Sequence, residues 1–337
     1  MKSRERVKRA ITFNYPDRVP ISHAILPAAQ LKYGNALNDI LATVHEDFGW
    51  DYLPDMSKEN FSPIYKSGRN YDEFGTLWHV VVEGMSGIPV EFPLDDWAKY
   101  PDYIWPEFSA GPPKARQYSG HMEGKNEDYY ARGAWITFFE QMQQLRGMEN
   151  LLMDLASPSA EFDRLVEDLL EFNLNWIDRW LAHTYDGLHF GDDWGTQEAL
   201  MISPGLWRKI FKPVYKKMFD KVKSAGLDVH FHSDGQIIDI IPDLLDIGVD
   251  VLNCQAVVVG MDVLKKEFAG KVCFRTDLDR QRIMPFGTPA EVKAHILDMV
   301  DLLGKPSGGI IACGEIGPDI PLVNIKTMYD TFMNLYY

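Results

Sequence analysis

From residue 130 onward, short apolar runs alternate with longer segments in which apolar residues recur every three or four positions. Runs of the first kind are typical of buried strands, and segments of the second kind are typical of amphipathic helices. The pattern predicts strands over residues 133–140, 187–192, 227–232, 249–254, 271–276 and 309–313. It predicts helices over residues 159–183, 204–226, 236–247, 261–269 and 288–303. Regular alternation of the two elements indicates a parallel sheet covered by helices.

Two earlier strands are predicted at residues 19–24 and 51–54, which raises the number of strands to eight. Eight parallel strands fit a closed (β/α)8 TIM barrel better than an open sheet. No GxGxxG fingerprint or P-loop follows a predicted strand, so the nucleotide-binding alternative lacks its usual motif. We therefore expect a single α/β barrel domain spanning residues 1–337, with an N-terminal extension.

Residues 57–130 interrupt the alternation. This segment is rich in Gly, Pro, Tyr and Trp, and a hairpin is predicted around residues 76–93. Long irregular segments are usually functional or disordered, and the aromatic content argues against disorder. We expect an insertion that lies over or beside the barrel mouth, as a lid would.

Composition narrows the class of protein. With 46% hydrophobic and 25% charged residues, the 337-residue chain can bury a full core without disulfides. A net charge of -15 disfavours nucleic acid and anionic membranes as partners, because both require clustered Lys and Arg. The chain has no apolar run of about eighteen residues and no secretion signal at its charged start, which predicts a cytoplasmic protein.

Polar residues that can act as ligands or acids follow most of the predicted strands. In β/α barrels the reacting groups lie at the C-terminal strand ends, where the connecting loops form the open face. These positions hold Glu140, Asp192, Asp193, His232, Asp234, Cys254, Gln255, Asp277, Cys313 and Glu315. The sequence therefore predicts an active site at this rim.

The sharpest local signal for a metal site is the segment HFHSDG at residues 230–235. Alternation along a strand turns His230 and His232 to the same side. Imidazole, carboxylate and thiolate are common zinc ligands, so His232, Asp234 and Cys313 are predicted ligands, with His230 as a further one. Two alternatives stay open: His230 can orient a ligand without touching the metal, and a buried histidine can be an ordinary core residue.

Four acidic residues are predicted to take part in catalysis: Asp192, Asp193, Glu140 and Asp277. Adjacent carboxylates on a strand cannot both point inward. One of Asp192 and Asp193 is therefore expected to handle substrate or a proton, while the other caps or is solvated. Glu140 ends a predicted strand and is either a catalytic acid or a surface charge, and Asp277 follows a strand at the same rim.

Several motifs along the chain resemble those of a known family. They are, in chain order, Arg4-Glu5-Arg6-Val7, Pro16-Asp17-Arg18-Val19-Pro20, Gly191-Asp192-Asp193-Trp194-Gly195-Thr196-Gln197, Ile202-Ser203-Pro204, Lys212-Pro213, His232-Ser233-Asp234-Gly235 and Gly308-Gly309-Ile310-Ile311-Ala312-Cys313-Gly314. Together they resemble the uroporphyrinogen decarboxylase superfamily, in particular its corrinoid-linked methyltransferase branch, over nearly the whole chain.

The sequence departs from that family in two places. Decarboxylases of the family carry an arginine-rich segment near the start that holds propionates, whereas this chain has His23-Ala24-Ile25-Leu26-Pro27 there. Decarboxylation of a porphyrinogen is therefore not expected. Zinc methyltransferases of the family show His-x-Cys and a distant second Cys. Asp234 stands where the first Cys is expected and Cys313 keeps the second place, which implies a harder, more oxygen-rich metal site.

The resemblance implies a methyltransferase that uses a zinc-type Lewis acid. It would move a methyl group between a small substrate, such as a methoxylated aromatic, and a corrinoid on a separate protein, because the chain has no DxHxxG corrinoid segment. Zinc bound to the leaving oxygen would stabilise charge as the methyl group departs. The alternatives are a metal-dependent decarboxylase or lyase acting on a small carboxylate, and a binding protein that has lost the metal.

Overall fold

The computed structural model of the protein describes residues 1–49, 61–108 and 128–337. Its strands are β1 (Ala24–Ile25), β2 (Gly68–Tyr71), β3 (Leu77–Val80), β4 (Ile88–Glu91), β5 (Arg132–Ile136), β6 (Gly187–Gly191), β7 (Asp228–Ser233), β8 (Val251–Cys254), β9 (Cys273–Arg275), β10 (Ile310–Ile311) and β11 (Glu315–Ile316). Its α-helices are α1 (Ser3–Ile11), α2 (Pro27–Tyr33), α3 (Asn35–Leu41), α4 (Phe139–Arg146), α5 (Met148–Ala156), α6 (Ala160–Leu181), α7 (Pro204–Ser224), α8 (Ile241–Asp246), α9 (Ala256–Val259), α10 (Met261–Glu267), α11 (Ile283–Phe286), α12 (Pro289–Leu303) and α13 (Leu322–Phe332). Short 3-10 helices cover Pro63–Tyr65 and Trp97–Asp102.

The main sheet runs in the order β10-β9-β8-β7-β6-β5, with every neighbouring pair parallel. Backbone hydrogen bonds continue the ring from β10 back to β5. Ala312 N–H donates to Pro20 O (2.8 Å), and Asp47 N–H donates to Ile21 O (2.9 Å). Tyr130 N–H, just before β5, donates to Asp47 O (3.0 Å). The chain therefore folds as a closed parallel β/α barrel, which confirms the predicted fold class.

The first predicted strand, at residues 19–24, pairs with two different segments in the structure. Of residues 19–24, the chain near Ile21 bridges to Ala312 and closes the ring, while the regular strand there is β1, which pairs with β11. The predicted strand at 51–54 lies outside the described residues.

The prediction of a strand over 133–140 is wrong in its second half. β5 ends at Ile136 and α4 begins at Phe139, so Glu140 lies in the first turn of a helix. The reason is a carboxylate contributed by the neighbouring chain segment. Asp192 accepts hydrogen bonds from the N–H groups of Phe138 (2.8 Å) and Glu140 (2.7 Å). These are donors that a helix start leaves without partners, so the cap stabilises the helix.

The long helices begin where the sequence predicts. Ser159 and Ser203 each accept a hydrogen bond from the backbone three residues on and cap α6 and α7. Thr288 and Glu291 form a capping box at the start of α12. Caps of this kind stabilise a helix by about 1 kcal/mol each. In the described part of the chain, every helix is too short or too polar to span a membrane.

The charged N-terminal motifs close the bottom of the barrel. Asp47 is fully buried and accepts the backbone N–H of Ile21 (2.8 Å). Its carboxylate also pairs with Arg6 Nη1 (2.6 Å) and Arg18 Nη1 (2.9 Å). A buried carboxylate with this many donors tolerates its burial because each lone pair is satisfied. The role of this motif is therefore structural.

Two apolar zones stabilise the barrel. The larger one lies between the sheet and its surrounding helices and includes the outward residues Phe190, Phe231 and Leu252. The smaller one fills the base of the barrel, where Val7 and Ile11 of α1 pack on inward residues of the strands. Its strand members are Val251, Cys273 and Ile311, with Tyr130 before β5. The base is thus plugged by apolar side chains, which leaves the opposite end for chemistry.

The residues between the first strands and β5 form a small antiparallel sheet in the order β2-β3-β4. The predicted hairpin at 76–93 is confirmed by the pairing of β3 with β4, and β2 adds a third strand. Thr76 Oγ1 donates to Gln144 O (2.7 Å), and Leu94 N–H donates to Leu145 O (2.9 Å). These bonds attach the small sheet to α4 beside the barrel mouth. Residues 57–60 and 109–127 of the predicted insertion lie outside the described residues.

Candidate metal centre at the barrel mouth

Three side chains converge where β6 and β7 end. His232 Nε2 lies 3.5 Å from Asp193 Oδ1 and 3.5 Å from Asp234 Oδ1. One ligand atom from each of the three residues lies within 4.8 Å of the others. The structure thus brings together two predicted metal ligands, His232 and Asp234, with one predicted catalytic acid, Asp193.

The backbone holds the loops after β6 and β7 against each other. Gly195 N–H donates to Asp234 O (3.1 Å), and Gln236 N–H donates to Thr196 O (2.7 Å). Gly235 has a φ of +81°, and a Cβ there would collide with the carbonyl group of Gly195. Glycine is therefore required at this crossing, which fixes the spacing of the two carboxylates.

The tautomer of His232 is set by its neighbours. Its Nδ1 lies 2.8 Å from Asn253 Oδ1. The same oxygen accepts from Arg275 Nη1 (2.8 Å), and Asn253 Nδ2 donates to Arg275 O (2.9 Å). Because Asn253 Oδ1 can only accept, Nδ1 of the imidazole carries the proton. In the neutral imidazole, Nε2 then presents its lone pair to the two carboxylates, as a metal-ligating histidine does.

The two carboxylate oxygens of Asp234 have different surroundings. One oxygen pairs with Arg280, which also pairs with Glu315 (2.9 Å). The other, Oδ1, is buried and has no hydrogen-bond partner among the described residues. Asp193 Oδ1 accepts the backbone N–H of Asp234 (2.8 Å). An unsatisfied buried carboxylate oxygen beside an imidazole lone pair is unfavourable unless a cation or proton lies between them.

One imidazole nitrogen and two carboxylate oxygens form a donor set that suits a divalent cation. Zinc accepts nitrogen and oxygen ligands in this way, and three protein ligands leave positions for substrate. The residues present therefore fit a metal. His232, Asp193 and Asp234 are the residues that would hold it.

Asp192 does not face this group. It is fully buried, caps α4 as described above and accepts the hydroxyl of Tyr215 (2.5 Å). Burial raises the pKa of Asp192 to about 7, against the lowering effect of its hydrogen-bond donors. Of the two adjacent acids, Asp192 thus has the capping position and Asp193 the exposed, ligand-like one.

Glu140 lies behind the group. Its Oε1 accepts the backbone N–H of Asp193 (3.2 Å). Burial, followed by the charges of Asp193 and Asp192, raises the pKa of Glu140 well above its ordinary value. The protonated form of Glu140 is therefore favoured next to the candidate ligands.

Asp277 lies across the mouth after β9 and is largely buried. Burial raises the pKa of Asp277 to about 7, while Arg280 opposes the shift. Asp277 lines a cavity of about 310 Å³ together with Gln255 and Arg280. The cavity thus opens beside the ion pair that holds Asp234.

Cys313 and His230 lie outside the three-residue group. Cys313 is 2% exposed, and its backbone N–H and C=O both bond to the Thr276 hydroxyl (2.7 and 2.6 Å). Burial raises the pKa of its thiol. His230 lies one layer deeper than His232, with Nε2 2.8 Å from the Tyr130 hydroxyl. Strand alternation places His230 and His232 on the same side, but two residues of rise separate them.

Trp135 enters the mouth through an irregularity in β5. The register with β6 shifts within β5, and Ala134 adopts a φ of +65°. A bulge of this kind adds one residue and redirects a side chain. The Trp135 ring lies 4.6 Å from the His189 ring and 5.7 Å from the His232 ring, measured between centroids.

A second cavity of about 280 Å³ extends from Trp135 toward the small antiparallel sheet. Its walls are mostly aromatic, supplied by Phe74, Phe108, Trp135, Phe172 and Trp176. The Phe108 and Trp176 rings are stacked at 4.9 Å. An apolar, aromatic-lined cavity beside polar reactive groups is the usual form of a small-molecule site.

Sequence reasoning missed Asn253, Arg280 and Trp135. Asn253 is a polar residue inside the apolar run of β8 and pairs in register with His232. That interruption of the run was a usable signal. Arg280 follows the strand end by five positions, and Trp135 depends on a bulge. Neither is indicated by strand alternation alone.

Comparisons with known proteins identify one family and several solved structures that this chain resembles. The family model for uroporphyrinogen decarboxylase matches residues 131–335. No curated protein matches the sequence. A solved methyltransferase from Methanosarcina mazei is similar over 99% of this chain and 98% of its own, with 13% identity and a TM-score of 0.68. A B12-independent methionine synthase from Shewanella sp. W3-18-1 is similar over 91% of this chain and 84% of its own, with 11% identity and a TM-score of 0.46.

The methyltransferase similarity shows a shared barrel fold at this low identity. The family match covers β5 to β11, the loops that carry Asp193, His232 and Asp234, and the whole of the C-terminal helix α13. Because it spans more than half of the chain, this chain belongs to the uroporphyrinogen decarboxylase family.

Proposed function

We propose that this chain is a methyltransferase that moves a methyl group between a small substrate and a corrinoid carried by a separate protein. The observation that carries the proposal is the convergence of Asp193, His232 and Asp234, with the imidazole lone pair of His232 directed at two carboxylate oxygens. The overall fold shared with a solved methyltransferase agrees with this assignment.

A divalent cation such as zinc, held by these three residues, would supply Lewis acidity to the oxygen or sulfur that releases or accepts the methyl group. The protein itself contributes orientation. Asn253 fixes the His232 ring, and Arg280 fixes Asp234. Second contacts of this type keep ligands in place and raise their affinity for a cation.

Glu140 would handle a proton at the same place. Its Oε1 is engaged by Asp193 N–H, so its second oxygen is the one to hold the proton. Because burial and the neighbouring carboxylates raise its pKa, the protonated form of Glu140 is favoured and can donate to a departing oxygen. Asp277, with a pKa of about 7, is a second group able to exchange a proton near neutrality.

The aromatic cavity beside Trp135 suits a substrate with an aromatic ring, such as a methoxylated benzene. Edge contacts with Trp135, at the barrel end of this cavity, would hold the ring away from water. The methyl group would then lie beside His232, whose ring Trp135 contacts. The corrinoid protein would approach the same open face of the barrel.

The test is methyl transfer from methoxybenzene with the zinc-loaded protein, measured with and without a reduced corrinoid protein. We expect formation of the methyl-cobalt absorption band only when enzyme, zinc and corrinoid protein are all present. The Asp239→Asn variant is the control, because Asp239 is exposed and lies away from the ligands. Release of carbon dioxide from a small carboxylate without any corrinoid would contradict the proposal and favour a decarboxylase.

A further inference from the structure

A layer of basic and imidazole side chains lies inside the barrel below the candidate metal centre. We propose that Arg132 and Arg275 in this layer bind a carboxylate group of the substrate. The inference refines the proposed function by naming a substrate class, small aromatic acids, and rests on that function only in placing substrate at the same mouth.

Arg275 is connected to the metal centre through one side chain. It is 8% exposed, and its Nη1 donates to Asn253 Oδ1 (2.8 Å), the oxygen that also contacts His232 Nδ1 (2.8 Å). Its Nε is buried and has no hydrogen-bond partner among the described residues. Arg275 therefore lies next to the ligand His232 with part of its guanidinium unsatisfied.

Arg132 lies at the start of β5. This strand stands at the far end of the sheet order from β9, the strand that carries Arg275. The Nη1 of Arg132 is buried and has no hydrogen-bond partner within the described ranges, and its guanidinium carbon lies 5.4 Å from the centre of the Phe48 ring. Neither Arg132 nor Arg275 forms an ion pair with a carboxylate of the described residues, although most other arginines do.

The two guanidinium groups repel each other electrostatically. Burial lowers the pKa of Arg132 to about 9, and the charge of Arg275 adds to the effect. Glu46 acts in the opposite direction on Arg132, but its carboxylate accepts the backbone N–H of Phe48 (2.8 Å). The part of the chain that the structure describes therefore leaves a positive charge in this layer without a carboxylate counter-ion.

The other titratable groups that face the layer do not neutralise it. Burial, reinforced by the two arginines, lowers the pKa of His189 and His230 well below normal, so both imidazoles are neutral. Cys313 also faces the arginines, and burial raises the pKa of its thiol. No carboxylate of the described residues is hydrogen-bonded to either guanidinium.

Two like charges, on the buried Arg275 and the half-buried Arg132, are costly in the free protein when no carboxylate of the described residues pairs with them. An anion bound between them would remove that cost and satisfy the free N–H groups. The planar guanidinium fork matches a carboxylate well. Trp135 contacts both His189, in this layer, and His232, at the centre above. An aromatic acid could thus place its carboxylate below and its reactive substituent at the metal.

The test uses para-methoxybenzoate and its uncharged analogue para-methoxybenzamide, with inorganic phosphate as a second anion. Binding is measured by calorimetry and by the change in Tm, without corrinoid protein. The variants are Arg132→Met and Arg275→Met, and Arg164→Met is the matched control, since Arg164 is exposed on α6.

We expect the benzoate to bind the wild type and the Arg164→Met control, and to bind each buried-arginine variant at least ten-fold more weakly. The benzamide should bind all four proteins equally weakly. Without ligand, the two buried-arginine variants should have an equal or higher Tm, since an unpaired charge is removed. Equal binding of acid and amide, tighter binding of phosphate than benzoate, or unchanged benzoate binding by both variants would overturn the inference.

Should a methionine variant fail to fold, Arg132→Lys and Arg275→Lys retain the charge but not the fork. We expect them to fold and to bind benzoate with intermediate affinity, and wild-type affinity in both would count against the assignment. The result is separable from the proposed function. Benzoate binding that is lost with the arginines, together with absent methyl transfer, would leave this inference standing and reject only the transferase.

Discussion

The barrel interior has two polar layers of opposite character. The upper layer, at the mouth, gathers Asp193 and Asp234 around the lone pair of His232. The lower layer holds Arg132 and Arg275 beside neutral imidazoles. Each layer has an unsatisfied buried polar atom, an oxygen above and guanidinium nitrogens below. The described protein atoms therefore leave polar groups unsatisfied in both layers. A cation above and an anion below would satisfy them.

The largest expected effect comes from breaking the upper layer alone. His232→Ala removes the only nitrogen donor of the Asp193, His232 and Asp234 group. We expect metal affinity to fall more than about 100-fold, beyond the loss seen when only a ligand's supporting contact is removed. Metal content after dialysis, measured by mass spectrometry, checks this. Binding of para-methoxybenzoate should stay within a few-fold of wild type, and a parallel loss of both would show that the layers are not separate.

Asn253 joins the two layers, because one amide oxygen contacts both His232 and Arg275. Asn253→Ala should lower metal affinity by about 10- to 100-fold by freeing the imidazole to rotate. It is a positioning residue, so the ligand field of bound cobalt(II), read from its visible spectrum, should change as well. Asn334→Ala, at an exposed position, is the control. A spectrum identical to wild type would contradict the positioning role.

Asp277 tests the electrostatics of the mouth. Burial raises its pKa from 3.8 to about 7 in the folded state. A carboxyl whose folded pKa is raised favours folding fully at pH below its unfolded pKa, and this contribution is lost as pH rises toward 7. Asp277→Asn should therefore stabilise the metal-free protein by about 1–2 kcal/mol at pH 8, an amount discounted from the full shift because Arg280 lies close by.

The Asp277→Asn measurement is chemical denaturation in the presence of a chelator at pH 8 and pH 4.5. Little difference from wild type is expected at the lower pH, where both folded side chains are uncharged. A variant that is less stable than wild type at pH 8 would show that the charged form of Asp277 is needed for the fold.

The smallest expected effect is that of Cys313→Ala on metal binding. The thiol is buried and lies outside the group within ligand distance. We expect metal content to be retained and stability to fall by about 1 kcal/mol, as is common for a buried substitution. Metal analysis beside His232→Ala makes the comparison. Equal loss of metal in the two variants would place sulfur in the ligand set and remove the proposed distinction between the layers.

Sequence reasoning reached the fold more completely than the site. The alternation of strands and helices after residue 130 gave the barrel because each period has a direct physical cause in burial. Glu140 was misplaced because α4 begins directly after β5, and the cap of that helix is supplied by Asp192, far away in sequence. His232 and Asp234 were predicted as ligands from their local pattern, and the structure places them side by side. Asp193 was a candidate for handling substrate or a proton and not for binding metal, since its approach to His232 depends on the crossing of two glycine-containing loops.

The arginine layer was not predicted at all. Arg132 and Arg275 lie on different strands, and their significance comes from the absence of carboxylate partners among the described residues, a property of the folded state. Sequence spacing indicates which residues share a face, but not which charges remain unpaired.

We infer that Asp193, His232 and Asp234 hold one divalent cation at the barrel mouth. X-ray absorption spectroscopy of the zinc-loaded protein tests it most directly, because sulfur and lighter ligands differ in both distance and scattering. The account predicts about one zinc per chain with only nitrogen and oxygen ligands at about 2.0–2.2 Å. A sulfur shell at about 2.3 Å, or a protein that retains no zinc, would contradict it.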